Sequence, residues 1–287
     1  MKKPKKVLFI VLTVLFSLMI IGAIVYLVFY ESSNNDSKEI FDELRNIYNV
    51  TIDDVPINDI VDESSVDDIS DSTSEDNTIN DDTTNTQQYY WTPPNLQALL
   101  DQNKYFVGWI TIKGTYIDYP VMQTKFDEEY YLHTSFYNYY SFAGVPFCSK
   151  RSDLETPSDN IVIYGHNMLN GTMFADLMKY SDKSFYENHK YINFDTIYHQ
   201  DNVYEVVSVF RSDVSKESYG FYNFANGSQE SFDRFAKFIK ENSIYSIPTD
   251  IEYGDKLLTL ITCTKYFGND DGRFIVVAKQ INDSNLR

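Results

Sequence analysis

The sequence predicts a mainly β domain, a barrel or a sandwich with peripheral helices, carried behind one transmembrane helix and a flexible acidic linker. Three observations predict it. Between residues 107 and 281, seven short β-rich runs are punctuated by Gly, Asp, Asn and Ser clusters and joined by irregular connections, unlike the regular alternation of a βαβ sheet. Residues 7–30 form one uncharged, apolar run. The formal charge of −18 is uneven: +4 over residues 1–30, −15 over 31–90 and −7 over 91–287.

The elements follow in chain order. Lys2, Lys3, Lys5 and Lys6 precede the run Val7–Tyr30, whose 24 residues reach about 36 Å as a helix, enough to cross a hydrocarbon core of about 30 Å. The run is too long for a signal-peptide core, and residues 26–31 offer no small-residue cleavage site. Lysines before it and acids after it place the N-terminus in the cytoplasm and the rest of the chain outside the cell, on a single-pass anchor. Residues 31–88 are rich in Asp, Ser, Thr and Asn, too polar to offset chain entropy by burial, and are expected to be a tether reaching about 40–45 Å. One exception is the amphipathic spacing of Ile40, Phe41, Leu44, Ile47 and Tyr48, a helical pattern that would either dock on the domain or fray near the membrane.

The globular domain is expected over 89–287, opening with a short helix from Asn95 to about Asn103. The strands are expected at 107–112, 116–122, 143–147, 160–164, 202–211, 256–263 and 274–281. Met173, Leu177 and Tyr180 have helical spacing, as do Phe232, Phe235, Phe238 and Ile239 within a helix over 229–242.

Composition excludes several functions. An acidic chain has no basic footprint for nucleic acid. Two cysteines, neither in a C-x-x-C pair, make no disulfide scaffold, zinc finger or thioredoxin-type site, and the spacing of His133, His166, His189 and His199 suggests no metal site. No cofactor is implied. What remains is single-cysteine chemistry, which needs a thiolate and is helped by a nearby imidazole and a cation. Cys263 ends the apolar run Leu257–Ile261, His166 follows the run Ile161–Tyr164, and Arg273 opens the last strand after a turn. A hairpin would return Cys263 and Arg273 to the same end of the sheet; spacing alone does not bring His166 to them. Cys148, in no motif, reads as a buried small hydrophobe.

Thr259-Leu260-Ile261-Thr262-Cys263 resembles the TLxTC motif of sortases, with Arg273 at the place of their arginine and His166 within the YGHNM segment of their class B members. The likeness extends through Gly108-Trp109-Ile110, Ile117-Asp118-Tyr119-Pro120-Val121, Tyr130-Tyr131-Leu132, Asn170-Gly171-Thr172-Met173-Phe174 and Val276-Val277-Ala278-Lys279, nearly all of residues 95–282. The helix expected at 229–242, before the cysteine-bearing strand, also resembles class B. The resemblance implies a closed sortase-type β-barrel and a Gram-positive surface transpeptidase. In such an enzyme Cys263 attacks the Thr carbonyl of a C-terminal sorting motif and forms a thioester. His166 protonates the leaving amine, and Arg273 binds substrate carbonyls and the oxyanion. Thr262, Asn167 and Tyr164, beside the cysteine and the histidine in sequence, are the further candidates for substrate contact.

The implied partners are proteins bearing a sorting motif and an amine of peptidoglycan or its lipid-linked precursor, with the membrane reached through the N-terminal helix. A pilin lysine as acceptor, or plain hydrolysis by a cysteine endopeptidase with the same site, is the alternative. No metal is implied.

Overall fold

Of the 287 residues, the computed structural model describes 4–49, 92–216, 220–265, 268 and 271–281. The described helices are α1 (Pro4–Tyr48), α2 (Pro94–Gln102), α3 (Lys183–Asn188) and α4 (Gln229–Asn242). The strands are β1 (Phe106–Thr111), β2 (Asp118–Met122), β3 (Phe147–Cys148), β4 (Asn160–Tyr164), β5 (Tyr191–Thr196), β6 (Val203–Asp213), β7 (Leu257–Cys263) and β8 (Gly272–Ile281). They close into a barrel in the order β1-β2-β3-β4-β7-β8-β6-β5, so the barrel, and not the sandwich, is the fold. Pairing is antiparallel except at β2–β3 and β4–β7.

Burial explains why β4, β7 and β8 read as continuous apolar runs. Ile163, Leu260 and Val276, opposite one another in the registers, turn to one face and meet Ile110, Phe194 and Val206 in the main core. Val162, Ile261 and Ile275 turn to the other face, where α4 covers them with Phe232, Phe235, Ala236 and Ile239. Strands covered on both sides lose the polar alternation of a half-exposed sheet. The four buried residues of α4 recur at helical spacing, and the Ser228 hydroxyl caps its first turn by accepting from the Ser231 amide.

Four elements differ from the sequence expectation, one of them α3, which lies in no expected helix. β3 is only two residues long, because residues 143–146 are buried without ladder pairing. The pattern of Met173, Leu177 and Tyr180 forms a 3-10 segment, Ala175–Ser181, rather than an α-helix. β5 was not expected, although Tyr191 and Asn193 alternate with the buried Ile192 and Phe194.

The N-terminal helix does not stop at Tyr30. From Leu8 to Val25 its large apolar side chains are exposed, and it is the one helix among the described residues long and apolar enough to cross a membrane. It then runs on to Tyr48 and lies against the barrel, so the first part of the expected linker is helical; residues 50–91 lie outside the described residues. The amphipathic pattern accounts for the docking. Ile40, Phe41 and Leu44 are buried, each contributing on the order of 1.5–3 kcal/mol, and Tyr48 stacks on Trp109 at 4.5 Å. Polar ties fix the register: Tyr48 donates to Asp195 at 2.8 Å, and Arg45 pairs with Asp118 at 3.3 Å. Burial holds the Asp195 carboxyl above the usual carboxylate range, and the Tyr48 hydroxyl acts against that shift. Asn95 of α2 donates to the Tyr48 carbonyl at 2.7 Å, so the chain re-enters the domain beside the point where α1 leaves it.

Candidate active site

The parallel pairing of β4 with β7 sets Tyr164 opposite Ile261, so the chain two residues further on carries His166 and Cys263 out of the same end of the barrel. Three hydrogen bonds knit that end together. The Gly165 amide donates to the Ile261 carbonyl at 3.1 Å, the Thr262 hydroxyl to the Gly165 carbonyl at 2.7 Å, and the Asn167 side-chain amide to the Cys263 carbonyl at 3.0 Å. Gly165 is required by space: a Cβ there would stand 2.6 Å from the Phe174 ring. Phe174 in turn donates its amide to the His166 carbonyl at 2.8 Å, closing the histidine loop.

Cys263 and Arg273 are opposite each other in the β7–β8 ladder. Both lie on the face of Ile261 and Ile275, beyond the cover of α4, and Cys263 is exposed while Arg273 is partly buried. A groove of about 310 Å³ adjoins them, lined by Tyr164, Ile261, Phe221, Tyr222 and Arg273. Its polar wall holds Glu128 and Arg151, 3.7 Å apart. An apolar floor beside a cation suits an extended peptide whose backbone carbonyls need donors.

His166 Nε2 lies 2.8 Å from the Leu132 carbonyl oxygen. A carbonyl only accepts, so Nε2 carries the proton and Nδ1 is the nitrogen free to exchange one. The ring of His133 lies 5.1 Å from that of His166 and stacks on Tyr140 at 6.3 Å. Burial lowers the His166 pKa from its ordinary 6.5; the Leu132 carbonyl opposes the shift and His133 adds to it. The imidazole is therefore held mainly neutral at neutral pH.

The structure thus brings His166, Cys263 and Arg273 to one end of the barrel and places the other expected residues differently from one another. Tyr164 lines the groove and stacks on Phe147 at 5.4 Å. Asn167 holds the Cys263 backbone. Thr262 is buried and faces away from the groove, so it ties β7 to the histidine loop and has no surface to offer a substrate. Cys148 is a free, buried thiol pushed up to about 12 by burial, and Cys263 is likewise free. His189 and His199 hydrogen-bond to the carbonyls of Phe185 and Glu155, away from the site. Sequence reasoning missed His133, Leu132, Glu128 and Arg151. His133 directly follows the Tyr130-Tyr131-Leu132 segment, and that adjacency was its only signal; a carbonyl acceptor such as Leu132 leaves no mark in side-chain chemistry.

Comparisons with known proteins agree with the fold. The Sortase domain family model matches residues 110–281. Sortase B of Listeria monocytogenes is 34% identical over 188 residues, covering 65% of this chain and 74% of the relative. Among solved structures, the Staphylococcus aureus sortase B–substrate complex is 30% identical with a TM-score of 0.61, covering 67% of this chain and 87% of that one. Sortase B from Bacillus anthracis in complex with AAEK1 is 26% identical with a TM-score of 0.66, covering 88% of this chain and 99% of that one.

Proposed function

The chain belongs to the sortase family of cysteine transpeptidases and is of the class B type, and from that premise we propose that Cys263, His166 and Arg273 carry its reaction on a sorting motif. The single observation behind the assignment is the placement of Cys263 opposite Arg273 at the barrel end that also carries His166. The peptide lies in the groove over Tyr164 and Ile261, its Thr carbonyl beside Cys263. The Cys263 thiol gives its proton to neutral His166 at Nδ1, and the resulting thiolate attacks that carbonyl carbon. Negative charge collects on the carbonyl oxygen, where the planar donor fork of Arg273 stabilises it, a contribution worth about 10²–10³ in rate for one such donor.

Collapse of the intermediate breaks the C–N bond, and protonated His166 gives its Nδ1 proton to the departing amine. The product is a thioester on Cys263 and a neutral imidazole. The same Nδ1 then takes a proton from an incoming amine, which attacks the thioester and frees the thiolate. A peptidoglycan amine as acceptor gives cell-wall anchoring. The depressed pKa of His166 favours this second half, in which the imidazole must be neutral to act as base.

The proposed organisation assigns residues 1–30 to a cytoplasmic tip and membrane anchor and 89–287 to an extracellular catalytic domain, with 31–88 between them. The solved relative with its substrate bound supports a peptide occupant for the groove. Intact mass spectrometry tests the reading: incubation with sorting-type peptides and an amine should add an acyl mass to the wild type but not to Cys263→Ala, and the adduct should resolve into a peptide–amine product. Hydrolysed peptide with no amine adduct would identify an endopeptidase instead.

A further inference from the structure

One stripe of α1 touches the barrel from within the apolar run to the end of the helix. Tyr26, Phe29 and Tyr30 pack on Phe142, at ring separations of 6.0, 5.5 and 5.4 Å, and Phe29 also stacks on Tyr140 at 6.3 Å. The stripe continues with Ser33, whose hydroxyl accepts from the Phe142 amide, and Ser37, 3.0 Å from the Ser141 hydroxyl. Phe41, Leu44 and Tyr48 complete it. These positions recur every three or four residues, so they share one helix face with no break at Tyr30.

This geometry fixes a height. Tyr26 lies four residues before the end of the apolar run, about 6 Å along the helix axis. If α1 crosses the membrane, as the proposed function requires, residues touching Tyr26–Tyr30 lie at the boundary between hydrocarbon and headgroups. Tyr140 is 55% exposed and neighbouring Tyr139 is 46% exposed, side chains of the kind favoured at that boundary. The loop after His166 lies further along the helix: Asn170 and Thr172 share a small cavity with Asn34, Ser37, Phe41 and Arg45 of α1. At its tip Leu169 is 99% exposed, an apolar side chain left uncovered by the described residues. In the same loop Asn167 holds the Cys263 carbonyl.

We propose that the edge formed by Tyr139, Tyr140, Phe142 and Leu169 rests on the outer lipid leaflet, so that α1 holds the catalytic groove at the bilayer surface, facing membrane-borne substrates. The occupant of this apolar edge is lipid, because the edge is continuous with the side of α1 that already passes into the membrane. The proposal goes beyond the transpeptidase reading and rests on the anchor reading alone.

The test uses the full chain in phosphatidylcholine bilayers, carrying Cys263→Ala so that a nitroxide attaches only to an introduced thiol; buried Cys148 does not compete. Labels are placed at Leu169→Cys, at Ile20→Cys within the apolar run, and at Tyr253→Cys near the opposite end of β7. Oxygen and nickel accessibilities should put residue 20 deep in the bilayer, residue 169 at headgroup depth and residue 253 in water. A water-exposed label at 169 beside a deep label at 20 would overturn the docking and leave the anchor intact. A water-exposed label at 20 would overturn the anchor and the docking together. Spin–spin broadening at 169 would show a second copy covering the edge, which also overturns the proposal. In the otherwise wild-type chain, Leu169→Asp should slow turnover of a bilayer-anchored peptide about fivefold while changing turnover of a soluble peptide by less than about twofold. Equal slowing of both would overturn it.

Discussion

Cys263 and Arg273 form a non-hydrogen-bonded pair across β7 and β8, because the adjacent Thr264 amide takes the Gly272 carbonyl at 2.9 Å. Ladder bonds alternate along antiparallel strands, and it is the non-bonded positions that bring opposing side chains closest. The register therefore holds the nucleophile beside the cation without any direct bond between their backbones. Arg273→Lys keeps the charge and loses the two-pronged donor fork. We expect kcat/KM for peptide cleavage to fall by about 10²–10³, with little change in melting temperature, since the side chain is only partly buried. Steady-state kinetics with a soluble sorting-type peptide checks this, and near-wild-type activity would remove the carbonyl-binding role from Arg273.

His166 makes the site pH-sensitive through its lowered pKa. In the folded state it takes up a proton at lower pH than in the unfolded chain, where 6.5 is ordinary. Between those two values the unfolded chain binds more protons, so this group lowers stability as pH falls through 6.5 towards the folded pKa and has no such effect well above 6.5. His166→Gln should flatten stability against pH in that window, as measured by denaturant midpoints at a series of pH values. Since His133 adds to the lowering, His133→Ala should move the His166 titration upward in histidine-resolved NMR. An unmoved titration would show that burial alone sets it.

Legibility in the sequence followed the physical carrier of each feature. The ends of β4, β7 and α4 were readable because apolar runs and helical spacing determine them; β5 was hidden because its alternation spans only four clear positions between polar residues. Cys263, His166 and Arg273 were readable through motifs, and a hairpin already joined Cys263 to Arg273, but spacing did not bring His166 to them, since that depends on the parallel register of β4 and β7. The contacts of the Leu132 carbonyl and of Thr262 depend on backbone direction and facing, and residue type carries little of either. The amphipathic pattern of residues 40–48 left docking on the domain and fraying near the membrane both open, and burial of Ile40, Phe41 and Leu44 decides for docking; continuity with the apolar run was not expected, because the charged residues from Glu31 onward read as a linker.

The two cysteines should differ sharply in reactivity. Cys148 is buried, and burial pushes its thiol up to about 12, so almost none is thiolate at neutral pH. Cys263 is exposed at a strand end. A methanethiosulfonate probe should add one equivalent to the native protein, mapped to Cys263 by peptide mass, and two in denaturant. Native labelling of Cys148 would place it in an accessible cleft, contrary to its packing.

Gly165 sets the entry of the histidine loop. Gly165→Ala would drive a methyl group to 2.6 Å from the Phe174 ring, and the ring is fully buried and has little room to retreat. A loss of about 1–3 kcal/mol in stability is expected, with loss of activity greater than the unfolded fraction explains. Phe174→Leu in the same chain should recover part of both. Activity that survives Gly165→Ala unchanged would mean that the loop tolerates displacement of His166.

Phe41 is the residue on which the docking of α1 depends most. It is 4% exposed and meets Tyr119 edge to face at 5.0 Å, between Ile40 and Leu44 in the buried stripe. Phe41→Ala removes a core-sized side chain, at a cost of about 3–5 kcal/mol for a site that cannot collapse. Yet α1 crosses one side of a barrel that is closed without it, so the loss should appear as local detachment of residues 31–48 rather than as global unfolding. Hydrogen exchange on the full chain in bilayers distinguishes the two: amides in 31–48 and the neighbouring β1–β2 hairpin should exchange faster, while β7 and β8 keep their protection. An equal loss over all strands would mean that α1 is part of the barrel's cooperative core. Unchanged protection of 31–48 would move the weight of the docking to Leu44 and the Tyr48–Trp109 stack.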